Sequence, residues 1–522
     1  MNKITLLAVL AASLLPTQSY ASVDITDETF PDYYFQSYVL STFDKDKDET
    51  LSDAEIAAAT TIKANNKKIV SLKGIEYLTA LTSLSAINNR IVSVDLSKNT
   101  ELTTVNLSTN KLTGIDLSSL QKLQTLDLRS NPTLKSVNVG NNVALTSLTL
   151  ASDSLGQLDV TKNVNLTSLS VNGNQLHTID LSKNQALTTL NLNSNPLTDI
   201  DMSHNSELTS LSIGYNGLKK IDVSACANLV ELNCQLNKIS KLDVSHCPEL
   251  SVLNCATNAL TSLDVSKNAK LRELYVFDNK LESLNLGANA KLVSLNCTGN
   301  KLDSLDVSHN TRLTSLYCSE SNLCQLDLSR NKRLSLLFCA NNNLAQLDVA
   351  NNVYLSSIDC SNNDIADFDV SKNVDVVSIN CSYNEIRSLD VSCNAEYLST
   401  LKCDGNQLTS LDLSHNKKLT TLSASENART IAVEHWAKSP DDTIVFVPVD
   451  SLHAILGGGF DFTRLNQAGI TGGCVASHGD GRKILVFCAV FVGNTRPTEG
   501  GVYVQVSKYA NGSVKSTKVL VK

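Results

Sequence analysis

The chain is 522 residues long, carries a formal net charge of -8 and is only 5% aromatic. Nucleic-acid binding calls for a clustered basic face, and this mild acidity argues against it. The length exceeds one ordinary globular core, a limit that an array growing by addition escapes.

Residues 1–21 read as a secretory signal. Lys3 supplies the positive start, Ile4 to Leu15 the apolar run, and Ser19-Tyr20-Ala21 a small-residue cleavage site. No cysteine follows that site, so a lipid anchor is not indicated. No later run of twenty apolar residues offers a transmembrane helix. The mature protein is therefore expected outside the cell, secreted or on the outer surface.

Residues 22–61 read as a helical cap. Tyr34, Phe35, Tyr38, Val39 and Phe43 have helical spacing, and the acidic run Asp44 to Glu55 follows. That run resembles an EF-hand loop. The resemblance places Asp44, Asp46 and Asp48 at the first, third and fifth ligand positions, and Thr50 at the seventh through its carbonyl. Ser52 and Glu55 take the ninth and twelfth. It implies one Ca2+, held because a hard cation needs six to eight converging oxygens. Glu49 stands where the family has glycine, at a bend with positive φ, a strain of about 1 kcal/mol. The other reading is an empty loop whose acidic residues start a helix from Ser52 to Thr61. Residues 62–84 form a transitional coil with Gly74 at its bend, resembling an internalin-type repeat and expected to weld cap to array.

From about Leu81 to Leu422 one unit recurs, mostly every 21 residues. A copy runs Leu166, Leu169, Val171, Asn174, Leu176, Ile179, Asp180, Ser182, Asn184, and the next starts at Leu187. Alternating apolar residues put two side chains on the inner face of a short strand. The asparagine sits where the chain turns, and its amide can bond backbone groups that the bend leaves unpaired. The second half copies the spacing of the first, so the convex side is expected to be extended as well. The pattern resembles the 21-residue IRREKO-type leucine-rich repeats of bacteria and, more loosely, the internalins. The resemblance implies an α/β-repeat solenoid over residues 62–430, with a parallel β-sheet on its concave face.

Cys234, Cys255, Cys297, Cys318, Cys339, Cys360, Cys381 and Cys403 all occupy one inward repeat position, where other coils carry Leu or Val. They read as small buried hydrophobes, and free thiols in an exported protein fit a reducing habitat. Neighbours roughly 4.8 Å apart with parallel Cβ vectors suit a disulfide poorly. Cys226 and Cys247 replace the second asparagine of their coils, and Cys474 with Cys488 is the candidate bridge. An aspartate column on the convex half, Asp180 and its equivalents, is expected to be held by the serine two residues on.

Outward positions of the concave sheet hold mostly Ser, Thr, Asn or Gly. Tyr275, Phe277, Tyr317 and Phe338 break that pattern, rimmed by Glu273, Asp278 and Glu320. Exposed aromatics on a sheet of an aromatic-poor chain point to a binding patch. The plainer alternative is that they cover the sheet by stacking on one another.

After Asn427 the period stops. A short helix from Val433 to Lys438, with Trp436 as a plug, is expected to close the last coil. Strands are expected at Thr443–Val449, Lys483–Val492, Val502–Ser507 and Ser516–Val521. Residues 431–522 thus read as a small β domain for sorting or attachment, and the final stretch resembles the sorting domain of type IX secretion cargo.

His177, His204, His246 and His309 face solvent without a fixed partner, so no catalysis is expected. The resemblance to bacterial repeat adhesins implies a monomeric surface protein engaging an extracellular protein through its concave face. A glycan-binding protein and a calcium-stiffened spacer are the alternatives.

Overall fold

A computed structural model describes residues 22–427 and, beyond them, the backbone of five strands between Ala432 and Val521. The signal-like residues 1–21, Trp436 and Thr443–Val449 lie outside the described residues.

The cap begins with helix α1, Tyr33–Thr42, whose N-cap Asp32 accepts from the N–H groups of Tyr34 and Phe35. The second oxygen of the same carboxylate accepts from the Val70 and Ser71 N–H groups at 2.7 and 3.1 Å. One side chain thus starts the helix and fixes it to the transitional coil. Phe30 and Phe35 are fully buried, with Phe30 packed against Tyr77. Gly74, at φ +101°, lies so close to Phe30 that a Cβ there would overlap its ring. Helix α2, Asp53–Ala58, opens with a capping box between Ser52 and Glu55. It stops short of the expected Thr61 because Thr61–Lys63 pairs as a strand with Ser83–Ser85.

The repeats fall in two units, Met1–Pro196 and Leu197–Lys522. In the first, seven parallel three-residue strands run from Thr61–Lys63 to Thr189–Asn191. In the second, eleven run from Ser210–Ser212 to Thr421–Ser423. Register never slips, so Leu274 faces Leu295, then Leu316, then Leu337. Each strand has a buried centre, in most of them between two half-exposed neighbours, as in Ser294-Leu295-Asn296. The convex halves carry no α-helix among the described residues. The fold is therefore a leucine-rich repeat solenoid.

Two asparagine ladders hold the coils together. In the first, Asn279 Nδ2 donates to Cys255 O of the preceding coil and to Val276 O of its own, both at 3.1 Å. Its Oδ1 accepts from Leu260 N at 3.0 Å. Both ends of the amide are used, as the turn requires. In the second ladder Asn310 Nδ2 donates to Leu286 O and Asn289 O, while its buried Oδ1 has no partner. That difference explains Cys226 and Cys247. A thiol can donate but accepts poorly, so it fits a position that needs only donors. Cys226 Sγ donates to Asn205 O and Cys247 Sγ to Val223 O, each at 3.6 Å.

The residue before each first-ladder asparagine adopts positive φ, as in Tyr215, Thr257, Asp278 and Asn341, between 52° and 56°. The sequence does not announce this, since few of these residues are glycine. The turn imposes it and the asparagine bonds hold it. On the convex side each aspartate accepts from a backbone N–H two residues on, for example Ser182 N to Asp180 Oδ1 at 2.9 Å. This bond, aided by the serine hydroxyl, holds the Asp180 carboxyl below its ordinary range.

The eight cysteines of the inward column are fully buried and free. Burial pushes the thiols of Cys234, Cys297, Cys339 and Cys381 up to about 12, and those of Cys255, Cys318, Cys360 and Cys403 also rise well above the usual value.

Beyond the repeats, Val433 and Glu434 do not open a helix. Ala432–Glu434 is a strand paired in parallel with Ser410–Asp412, which otherwise ends in an open edge. Four antiparallel strands follow: Gly472–Ser477, Lys483–Cys488, Gly501–Lys508 and Val514–Val521. The first had not been expected from sequence. The side chains of Cys474 and Cys488 lie outside the described residues.

Candidate functional site: the concave sheet and the cap loop

Strand alternation decides which side chains the concave face presents. Leu274 and Leu316 point inward, so Glu273, Tyr275, Ser315 and Tyr317 point outward, and all four are half-buried. The register places Tyr275 beside Asn296, Asn296 beside Tyr317, and Tyr317 beside Phe338. Tyr317 and Phe338 stack with centroids 4.9 Å apart and planes 7° from parallel. Tyr275 is tied down differently, its hydroxyl donating to Glu273 Oε2 at 2.8 Å. Burial and that carboxylate push the Tyr275 phenol above its usual value.

Phe277 is half-buried where the strand bends away, and its carbonyl accepts from Thr257 N at 2.8 Å. Asp278 and Glu320 are exposed at the positive-φ position two coils apart, with Gly299 between them. A Cβ on Gly299 would overlap the Asp278 carboxylate. The structure thus gathers all seven residues on four successive coils.

One feature of the turns that lead into these strands escaped the sequence reading. The position just ahead of each coil's first leucine holds Lys270, Lys291, Arg312 and Arg333 on four successive coils, of which all but the Lys291 coil bear the aromatics, and Tyr354 follows at 62% exposure. The signal was present in the repeat alignment, as like charges in one column.

In the cap, one oxygen each of Asp44, Asp46 and Asp48 lies within 4.8 Å of the others. Glu49 adopts φ +62°, the bend expected of its position, without glycine. Asp44 receives Lys47 N at 2.6 Å and Glu49 N at 3.2 Å, which curls the loop around its carboxylate. Thr50 donates through both N–H and hydroxyl to Asp48 Oδ1, and these bonds hold Asp48 down. Desolvation and the Asp48 and Glu55 carboxylates push Asp46 up. Despite its own desolvation, Glu55 is held low by Lys45 N, at 2.6 Å, and by Ser52.

The four histidines singled out in the repeats do not converge. His204, His246 and His309 each meet the serine hydroxyl just before them, and His177 the Gln175 carbonyl.

A repeated coil, an inward leucine and cysteine core and an outward variable sheet define a leucine-rich repeat solenoid. The leucine-rich repeat family profile matches residues 101–123. Internalin J of Listeria monocytogenes is 38% identical over 74 residues, a stretch covering 14% of this chain and 8% of internalin J. Among solved structures, the functional domain of InlJ from Listeria monocytogenes, described as including a cysteine ladder, is 27% identical with a TM-score of 0.56. That match covers 97% of this chain and 100% of the domain. The internalin InlF of the same species is 23% identical, with a TM-score of 0.52 over 66% of this chain and 100% of InlF, and supports the fold alone. A plant peptide hormone receptor, RGFR1 in complex with RGF2, has a TM-score of 0.57 at 18% identity, covering 69% of this chain and 72% of the receptor.

Proposed function

We propose that this is a secreted or cell-surface binding protein that recognises an extracellular protein through the concave sheet around Tyr275, Tyr317 and Phe338. The observation that carries the reading is the placing of these rings, with Phe277, on coils whose other outward positions, Leu336 apart, are small or polar. Aromatic side chains offer much contact area for little lost entropy and dominate protein interfaces. The internalin-like relatives and the peptide-bound receptor of the same fold support it. The alternative, a platform for sugar rings, has less support, because Tyr317 and Phe338 each turn one face to the other. No helix among the described residues is long and apolar enough to cross a membrane. The test is a pull-down from extracellular protein mixtures beside a glycan array, each with the full chain and with Tyr317→Ala/Phe338→Ala. A protein retained by the first and lost by the second supports the reading. A protein retained equally by both ends it.

We further propose that the cap loop holds one Ca2+ through Asp44, Asp46 and Asp48, with the Thr50 carbonyl, Ser52 and Glu55 completing the set. The crowding that raises Asp46 is what a cation would relieve. Its role is to stiffen the cap over the first coil.

A further inference from the structure

Lys291, Arg312 and Arg333 stand one coil apart, in the same place relative to strands Ser294–Asn296, Ser315–Tyr317 and Leu336–Phe338. All three are exposed. At the head of the same column Lys270 is neutralised by an ion pair with Glu249 of the preceding coil. None of the ion pairs among the described residues reaches Lys291, Arg312 or Arg333. Stacked cations about 4.8 Å apart repel and contribute nothing to folding, yet this column carries three in succession without a counter-charge. The acidic residues of these coils lie elsewhere. Asp306 and Asp327 are bonded into convex turns by Ser308 and Ser329, Asp303 accepts from Asn322 and Glu273 from the Tyr275 hydroxyl, Asp278 and Glu320 sit past the far end of the strands, and Glu282 forms no ion pair among the described residues.

The rings five residues further along two of these coils carry a matching preference. Because Tyr317 and Phe338 stack in parallel, their edges point toward a partner. An aromatic edge is its positive side, which attracts carboxylate and carbonyl oxygens. A sugar would instead need an open ring face.

We propose that the partner of the concave face presents an acidic polypeptide segment, whose carboxylates lie along Lys291, Arg312 and Arg333 while its backbone and apolar groups meet Tyr317 and Phe338. The inference rests on the concave-face reading above and adds the chemistry of the partner. Exposed cations act mainly on association and are screened by salt, so the signature is an ionic-strength dependence set by these three residues.

The probe is a fluorescein-labelled peptide of alternating Glu and Tyr, titrated by anisotropy with the full chain, with a heparin fragment of equal charge as competitor. The triple variant Lys291→Gln/Arg312→Gln/Arg333→Gln is expected to bind the peptide at least tenfold more weakly at low salt and to lose most of the salt dependence. All three residues are exposed, so circular dichroism should show an unchanged fold. Equal affinity of wild type and triple variant overturns the proposal. So does heparin binding more tightly than the peptide, which would make the row a polysaccharide site. Tyr317→Ala/Phe338→Ala separates the two readings. If it binds as wild type while the triple variant fails, the aromatic site falls and the basic row stands. If only the aromatic variant fails, the basic row falls and the aromatic site stands.

Discussion

Tyr317 and Phe338 lie face to face across neighbouring coils, 4.9 Å between centroids and 7° from parallel. Each ring is held in place by the other as well as by its own strand. Removing both should leave the leucine core untouched, because Leu316 and Leu337 are fully buried on the opposite face. The double alanine variant is expected to lose partner binding by 2 kcal/mol or more, the scale of an aromatic hot spot, with the melting temperature little changed. Titration calorimetry and thermal melting on one sample separate the two effects.

Asp153 takes an asparagine's place in the first ladder of the amino-terminal unit. Asn131 N donates to its Oδ1 at 2.6 Å, while its buried Oδ2 has no partner. Burial, with a contribution from Asp127, pushes its carboxyl from 3.8 up to about 7. The folded state therefore binds this proton more tightly than the unfolded chain. The sign follows: stability should fall as pH rises from about 4 to 7, then level off. Asp153→Asn restores two donors without a charge. It is expected to stabilise by about 2 kcal/mol at neutral pH, after discounting for screening, and by much less near pH 4. Melting curves of both proteins from pH 3.5 to 8 read this directly, and a constant difference would show that Asp153 stays ionised.

The two ladders should tolerate cysteine differently. Asn279 both donates and accepts, whereas Asn268, like Asn310, only donates. Asn268→Cys repeats what Cys226 and Cys247 already do and should cost about 1 kcal/mol or less. Asn279→Cys leaves the Leu260 N–H buried without an acceptor and should cost about 2–4 kcal/mol. Urea unfolding of the pair checks the ranking.

Thiol chemistry should distinguish the cysteines by depth. Cys324 and Cys393 are exposed, while the inward column is buried with raised thiols. Under native conditions iodoacetamide is expected to label Cys324 and Cys393 quickly, and the column only after denaturation. Peptide mapping by mass spectrometry shows which were modified.

Calcium should raise the melting temperature of the amino-terminal unit, and Asp44→Ala should abolish that rise. Asp44 is also the residue around which the Lys47 and Glu49 N–H groups fold. Asp46→Asn is therefore the cleaner variant, since it removes a ligand charge and leaves those bonds. Equal melting in calcium and in chelator for the wild type would remove the site.

The repeat grammar was sufficient to place Leu274 inward and Tyr275 outward, to assign Cys234 and its column to the core, and to give Asn279 its bridging part. These follow from strand alternation and from the needs of a turn, which are properties of a few consecutive residues. The helix expected from Val433 failed for the complementary reason. The edge of Ser410–Asp412 offered hydrogen bonds that local propensity cannot see.

What the sequence determined by itself was the list of columns: which letters recur every 21 residues and which way each points. Only the tertiary structure decided what a column does once stacked. It turned Tyr317 onto Phe338, left Lys291, Arg312 and Arg333 without counter-charges, raised the Asp153 carboxyl and set Glu320 at positive φ. The reason is that ring orientation, charge balance and desolvation are fixed by the neighbouring coil, some twenty residues away along the chain yet one strand spacing away in space.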